Sequence, residues 1–402
     1  MGYEKDRMIQ EQEQGWHFTG DKYVCASCFD DYALKSFIEN NAEKTECSYC
    51  GATSGNPIAA HMDEVMDLIM RSIKADWTDP ANVLPYESAE GGYQGAVYDT
   101  NEVFDYMCGC VPSSNESVIE EILESIGDQI WCKRRYYSLD RNQELEIGWE
   151  EFCELVKHHT RFMFFSSPQA NGESSFREGV HPSEMLDELG SIVTELALTR
   201  PLPVATTLVR ARCHKKGVSF SAASDLGPPP HVNTLASRMS PAGIPMFYGA
   251  IDEPTALAET RPPGDEAASI GLFETLLELK VLDLTNPPSI PSVFDEARRH
   301  IIPILEFLRE FVGDVTKPIE KDGREHTEYV PTQIVTEFFR HKYRGSDGKS
   351  VQGILYPSAK LDGGRNCVLF CDSENCCDAA PADPKKDGKW LRLQAAHTVV
   401  FS

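Results

Sequence analysis

The sequence predicts an α+β chain in three segments: a small metal-held ribbon, a helical middle and a C-terminal mixed α/β domain. Three observations carry this prediction. Two C-x2-C pairs stand near the N-terminus, and apolar residues recur at helical spacing from Ala59 to about Phe165. Beyond residue 180, alternating strand-like stretches interleave with short helical ones. The expected boundaries are 1–56, 57–180 and 181–402.

The ribbon rests on "CASC" (Cys25, Cys28) and "CSYC" (Cys47, Cys50), with residues 29–46 between the pairs. The x2 spacing turns both thiolates of a knuckle toward one ion, and two knuckles complete a tetrahedral Zn2+ site. Four thiolates fill the coordination shell, so a structural zinc is expected rather than a catalytic one. Gly51 follows the second pair, where a tight turn favours glycine. So short a ribbon has little core of its own, and metal binding would supply its folding free energy. The other cysteines read as ordinary thiols. Cys108 and Cys110 are too close for a knuckle, and Cys371, Cys376 and Cys377 form no clean pair. The total of 13 Cys is odd and unevenly spaced, which argues against a disulfide framework.

In the middle segment, one helical stripe runs Met62, Val65, Met66, Leu68, Ile69, Ile73. A second runs Val118, Ile119, Ile122, Leu123, Ile126, behind capping residues at 113–117. A third holds Trp149, Phe152, Cys153 and Val156. His158 and His159 point about 100° apart on a regular helix, so they read as surface or capping residues rather than a ligand pair. Residues 166–184 are polar and rich in turn formers, and read as a linker. A helix with Met185, Leu186, Leu189, Ile192, Val193 and Leu196 on one stripe follows.

The C-terminal segment holds the chemistry. "TTLVRARCHKKG" (206–217) reads as a strand, with Leu208, Arg210 and Arg212 on one face and Val209 and Ala211 on the other. Two arginines on one face suit either an exposed edge or an anion site, where a planar guanidinium grips phosphate. Pro228–Pro230 and the turn at Gly243 stiffen the connection to a second strand, "IPMFYGAI", with Ile244, Met246 and Tyr248 on one face. "DEPTALAETR" opens a helix with Pro254 in its first turn. Glu259 lies a turn further on, so it is no N-cap. "HTEYVPTQIVTEFF" (326–339) reads as a strand entering a helix through Pro331. There His326, Glu328, Tyr329 and Gln333 serve as pocket or turn residues. "GGRN" and "GSDG" do not form G-x-G-x-x-G, so no dinucleotide glycine loop is present.

Composition limits the function classes. The 402 residues are 41% hydrophobic, enough for a real core, and carry a net charge of −25. Such acidity argues against an extended nucleic-acid groove but not against a local basic pocket. No apolar run is long enough to span a membrane. The polar opening "MGYEKDRMIQEQEQGW" is neither a signal peptide nor a myristoylation site, and a cytoplasmic protein is expected.

The series Arg210, Arg238, Tyr248, Glu259 in "TALAE", and Ser358 in "GILYPSAKLDGGRNCVLF" resembles the RES domain family over about 180–372. In this resemblance Asn366 and the run to Phe370 form the last strand. The preceding region is similar to the HEPN-type segment found joined to RES domains. HEPN ribonucleases carry Arg-x4–6-His, which has no match here, so RNA cleavage is not carried over. The resemblance implies an ADP-ribosyltransferase-like fold and a toxin or defence effector that consumes NAD+. It implies that Arg210 and Arg238 bind the pyrophosphate, with Arg212 as the alternative to Arg210. Tyr248 would stack on nicotinamide or place the ribose. Glu259 would steady the ribose cation, and Ser358 would donate a hydrogen bond nearby. Water, phosphate or a protein side chain would be the acceptor. The alternatives are an ADP-ribosyltransferase that modifies a macromolecule, and a non-catalytic zinc-dependent interaction module. An inhibitory antitoxin, self-restraint by the N-terminal region, and a homo-oligomer are the partner arrangements left open.

Overall fold

The computed structural model describes residues 2–108, 115–166, 179–260, 266–319, 323 and 325–401. The chain forms two compact units, Met1–Asp140 with Ile290–Pro303, and Arg141–Ser289 with Ile304–Ser402.

In the first unit the strand Tyr23–Cys25 pairs antiparallel with Ala59–His61, setting Cys25 opposite Ala59. Asp31 caps the helix Tyr32–Asn40, accepting hydrogen bonds from the N–H groups of Ala33 and Leu34. The helix Met62–Asp76 carries Asp63 and Glu64 in its first turn and Lys74 in its last, as its dipole favours. Its stripe of Met62, Val65, Met66, Ile69 and Ile73 is buried. Those side chains pack in one core with Phe29, Leu34, Ile38 and the thiols of Cys25, Cys28 and Cys47. The cysteine segment therefore shares its core with the helices that follow. Ile69→Ala in this core would cost about 2–5 kcal/mol. The helix Glu116–Ile126 is capped by Asn115, whose side chain accepts from Ser117 N–H. Between the helices lies a three-stranded sheet of Trp77–Thr78, Ile130–Lys133 and Tyr98–Asp99. Strands this short show no alternation, so sequence periodicity missed them.

In the second unit the helix Arg141–Glu154 buries Leu145, Trp149 and Phe152, and the Trp149 indole donates to Asp314 at 2.9 Å. It ends in a π-turn, Leu155–His159. Both histidines stay exposed there, in keeping with their reading as surface residues. The wider turn brings both rings to one carboxylate, Glu154, at 3.9 and 3.8 Å. Most of the expected linker, residues 167–178, lies outside the described residues, as do Cys110 and the side chain of Cys108.

A nine-stranded mixed sheet organises this unit. Its order is Cys376–Cys377, Leu391–Val400, Ala267–Thr275, Thr207–His214, Phe247–Ala250, Arg365–Leu369, Gly353–Pro357, Leu279–Asp283, Thr199–Leu202. Two neighbouring pairs are parallel and the rest antiparallel. Arg365–Leu369 is therefore not the last strand. Leu391–Val400 follows it and pairs along the whole of Ala267–Thr275. The expected strand in 326–339 is also corrected, because Glu325–Glu328 and Val330–Glu337 are helical. Pro331 falls in the first turn, where its missing N–H costs nothing, and Val335, Phe338 and Phe339 are buried beyond it. Among the described residues no helix is long and apolar enough to cross a membrane.

Candidate active site and cysteine cluster

Strand alternation gives the sheet two unlike faces. Leu208, Phe247, Phe273, Cys367 and Leu369 pack on one. Val209, Ala211, Ala250 and Ala256 pack on the other, under the helix Glu253–Thr260. Asp252 starts that helix by accepting from Thr255 N–H at 2.8 Å. A cavity of about 340 Å3 opens on this second side, within the roughly 300–1,000 Å3 of small-molecule sites. Its lining includes Arg210, Arg238, Tyr248, Glu259, Tyr356 and Asn366.

Glu259 is held rather than solvated. Its Oε1 accepts from the Ser358 hydroxyl at 2.6 Å and from Asn366 Nδ2 at 2.8 Å. Lys360 Nζ donates to its main-chain carbonyl at 3.2 Å. Among the described residues nothing bonds Oε2, so one carboxylate oxygen is fixed and the other is left for a ligand. Ser358 is itself set by a tight turn. Its N–H donates to Gly364 O, and its Oγ accepts from the N–H groups of Lys360 and Leu361. A Cβ at Gly364 would lie 2.9 Å from both Leu361 O and Thr255 Oγ1, so the turn needs glycine there.

The cations are arranged differently. By alternation Arg210 belongs to the Leu208 face, with its guanidinium 5.5 Å from the Phe247 ring centroid. The strands carrying Arg210 and Tyr248 share a single register pair, Ala250 with Val209. Beyond that pair Arg210 Nη1 donates to the Tyr248 carbonyl at 3.0 Å. Arg238 Nη1 and Nη2 donate to Val315 O at 2.8 Å and Lys317 O at 2.6 Å, closing the end of the helix Ile302–Thr316. A guanidinium has five N–H donors, so both arginines keep spare ones. Among the described residues neither has a carboxylate partner, although the chain holds 63 acidic residues. Burial pulls the pKa of Arg210 below its usual value, the sign of a desolvated charge without full compensation.

Tyr248 is braced at its far end. Its hydroxyl accepts from Met239 N–H at 3.2 Å and meets Ser240 Oγ at 3.0 Å. Burial pushes its phenol up to about 12, against the pull of those bonds, so it stays protonated. Gln333 donates to Ser237 O and Ser240 O and so fixes the turn that carries Arg238. Arg212 does not reach the cavity. Its guanidinium stacks 3.9 Å over Phe220 and donates to Asp225 O. Arg210 and Arg212 share a face but take different partners, the Tyr248 carbonyl for one and Asp225 O with the Phe220 ring for the other. Of the residues in 326–333, Tyr329 lines the cavity and Glu328 pairs with Lys157. Sequence reasoning missed Tyr356, Asn366 and Lys360. One available signal was Asn366, a polar residue heading the apolar run Cys367–Phe370.

The four N-terminal cysteines converge independently of the cavity. All four Sγ atoms lie within 4.8 Å of one another. The close separations are 3.8 Å (Cys25–Cys28), 3.5 Å (Cys25–Cys50) and 3.7 Å (Cys28–Cys47). A tetrahedral ion with metal–sulfur bonds near 2.3 Å requires sulfur–sulfur edges of about 3.8 Å, so the set fits one metal ion. Burial raises the Cys47 thiol, but N–H groups of Cys50, Tyr49 and Cys25 outweigh it and hold the thiol at about 7.

Residues 207–391 match the family model described as RES domain. The chain thus carries a RES domain, and the match spans Arg210, Arg238, Tyr248, Glu259 and Ser358. Residues 40–170 match the model described as HEPN/RES N-terminal domain 1, so the RES domain is preceded by a HEPN/RES-type region. That second match covers Cys47 and Cys50 but begins after Cys28. No curated protein and no solved structure matches the chain.

Proposed function

We propose that the RES domain cleaves the nicotinamide–ribose bond of NAD+, by hydrolysis or phosphorolysis, and that the chain acts as a toxin or defence effector. The observation that carries the reading is the pairing of charges in one cavity. A carboxylate fixed through one oxygen shares the cavity lining with Arg238, whose guanidinium, among the described residues, lacks an acidic partner, while the Arg210 guanidinium lies behind, toward the Phe247 face. An acidic protein holding uncompensated cations in a pocket is suited to an anionic ligand, and a pyrophosphate supplies that charge. The RES family is associated with NAD+-related toxin activity, which fits.

The bond breaks through a state with positive charge on the ribose. Glu259 Oε2 is the group available to stabilise that charge and to hold the ribose hydroxyls. The departing pyridinium already carries its charge and needs no strong general acid. Ser358 and Asn366 orient Glu259, and Ser358, bonded to a carboxylate with no base beside it, is no nucleophile. Arg238 grips the pyrophosphate with Arg210 behind it, and Tyr248 packs against nicotinamide or ribose. The domain takes an ADP-ribosyltransferase-like fold in this reading. The division 1–56, 57–180 and 181–402 stays part of the proposal, as does zinc as the ion held by Cys25, Cys28, Cys47 and Cys50, in a structural role.

NAD+ labelled in its ADP-ribose half tests the outcome. Label in soluble ADP-ribose, or in its phosphate adduct when phosphate is present, supports degradation. Label on a protein or nucleic acid shifts the assignment to a transferase. Unchanged NAD+ refutes both and leaves a binding module. Restraint by an inhibitory partner, or by the N-terminal region, is a corollary in a host that needs NAD+.

A further inference from the structure

We propose that Tyr356 is a further substrate-contacting residue, whose phenol donates a hydrogen bond to an oxygen of the ribose–phosphate. The inference rests on the dinucleotide reading of the cavity and adds a residue to it. Tyr356 sits on the strand Gly353–Pro357, directly opposite Asn366. Asn366 holds Glu259, and two residues beyond Tyr356 the chain supplies Ser358, the other donor to Glu259. Register thus places Tyr356 on the Glu259 side of the sheet, and its side chain lines the cavity.

Its hydroxyl differs from the polar groups of the residues assigned to the substrate. Ser358, Asn366, Arg210, Arg238 and Tyr248 all have hydrogen-bond partners within the protein. Among the described residues the Tyr356 hydroxyl has none. Tyr356 is half-buried and its hydroxyl is not sealed off from the cavity, so the fold does not depend on a partner for it and phenylalanine would fill the same space. Burial raises its pKa, with Tyr248 and Glu259 adding to the rise and Arg238 opposing it. The group is therefore a protonated donor lying among the three residues assigned to the substrate. A donor whose acceptor is absent from the protein is complementary to one on a ligand.

The test compares the full chain with its Tyr356→Phe variant, which removes one oxygen. Two quantities are read: the melting temperature without ligand, and the affinity for ADP-ribose by calorimetry. The expected result is a melting temperature equal to or above wild type, with ADP-ribose affinity about tenfold weaker. A brace within the fold would give the opposite pair, a lower melting temperature with affinity unchanged, and would overturn the inference. Equal affinity at any melting temperature overturns it too, while leaving the dinucleotide reading intact. Wild-type protein that binds neither NAD+ nor ADP-ribose overturns both.

Discussion

The cysteine cluster and the cavity are built on opposite plans. The cluster draws its four ligands from two short segments, and each C-x2-C pair meets because two residues apart is one knuckle. The cavity draws Arg210, Arg238, Tyr248, Glu259, Tyr356 and Asn366 from six stretches of chain, four of them strands that meet through sheet register. The first has the geometry to hold a metal ion, and three of its thiols, Cys25, Cys28 and Cys47, are part of a hydrophobic core. The second holds polar groups at the edge of satisfaction: among the described residues its cations lack acidic partners and one carboxylate oxygen is unbonded. Stability is concentrated at one site and unmet demand at the other, and it is the unmet demand that marks a place for a ligand.

That contrast can be broken most forcefully at Glu259. Glu259→Gln keeps the shape and the Ser358 contact but removes the charge. NAD+ consumption should fall about 10^2–10^3-fold while the melting temperature stays near wild type. Equal loss of both would mean the residue holds the fold. Cys47→Ser should do the reverse. The purified protein would lose bound zinc by elemental analysis, and the transition of the first unit would drop by roughly 10 °C or more. A metal-free wild type with an unchanged melting temperature would remove the metal from the account.

A smaller effect is expected at Arg238. Arg238→Ala should weaken ADP-ribose binding roughly ten- to hundredfold, because a charged hydrogen bond to phosphate is lost. Some stability should go with it, since two helix-end carbonyls lose their donor. Affinity that stays the same would reduce Arg238 to a helix cap. Asn366→Ala should have the smallest effect, about a tenfold drop in kcat with ADP-ribose binding nearly intact, because Ser358 still holds Glu259. A drop as deep as that of Glu259→Gln would show that orientation depends on Asn366 alone.

The two plans also explain what the sequence disclosed. The C-x2-C spacing and the apolar stripe of Met62–Ile73 are local signals, readable without knowing the fold. The helix start in "DEPTALAETR" is local as well. Register is not. Nothing in "TTLVRARCH" says that Arg210 will meet the Tyr248 carbonyl while Arg212 turns to Phe220 and Asp225. Nor does "EYVPTQIVTEFF" disclose that its β-branched residues pack as helices. Tertiary burial overrode their strand preference. Tyr356 and Asn366 stayed hidden because they meet Glu259 only across a strand pair.

The most direct measurement is a time course of nicotinamide release from NAD+ by the purified full chain, followed by mass spectrometry beside Glu259→Gln. The account predicts nicotinamide appearing in step with loss of NAD+ in the wild type, and intact NAD+ in the variant. NAD+ left whole by the wild type, or consumed equally by both proteins, would contradict it.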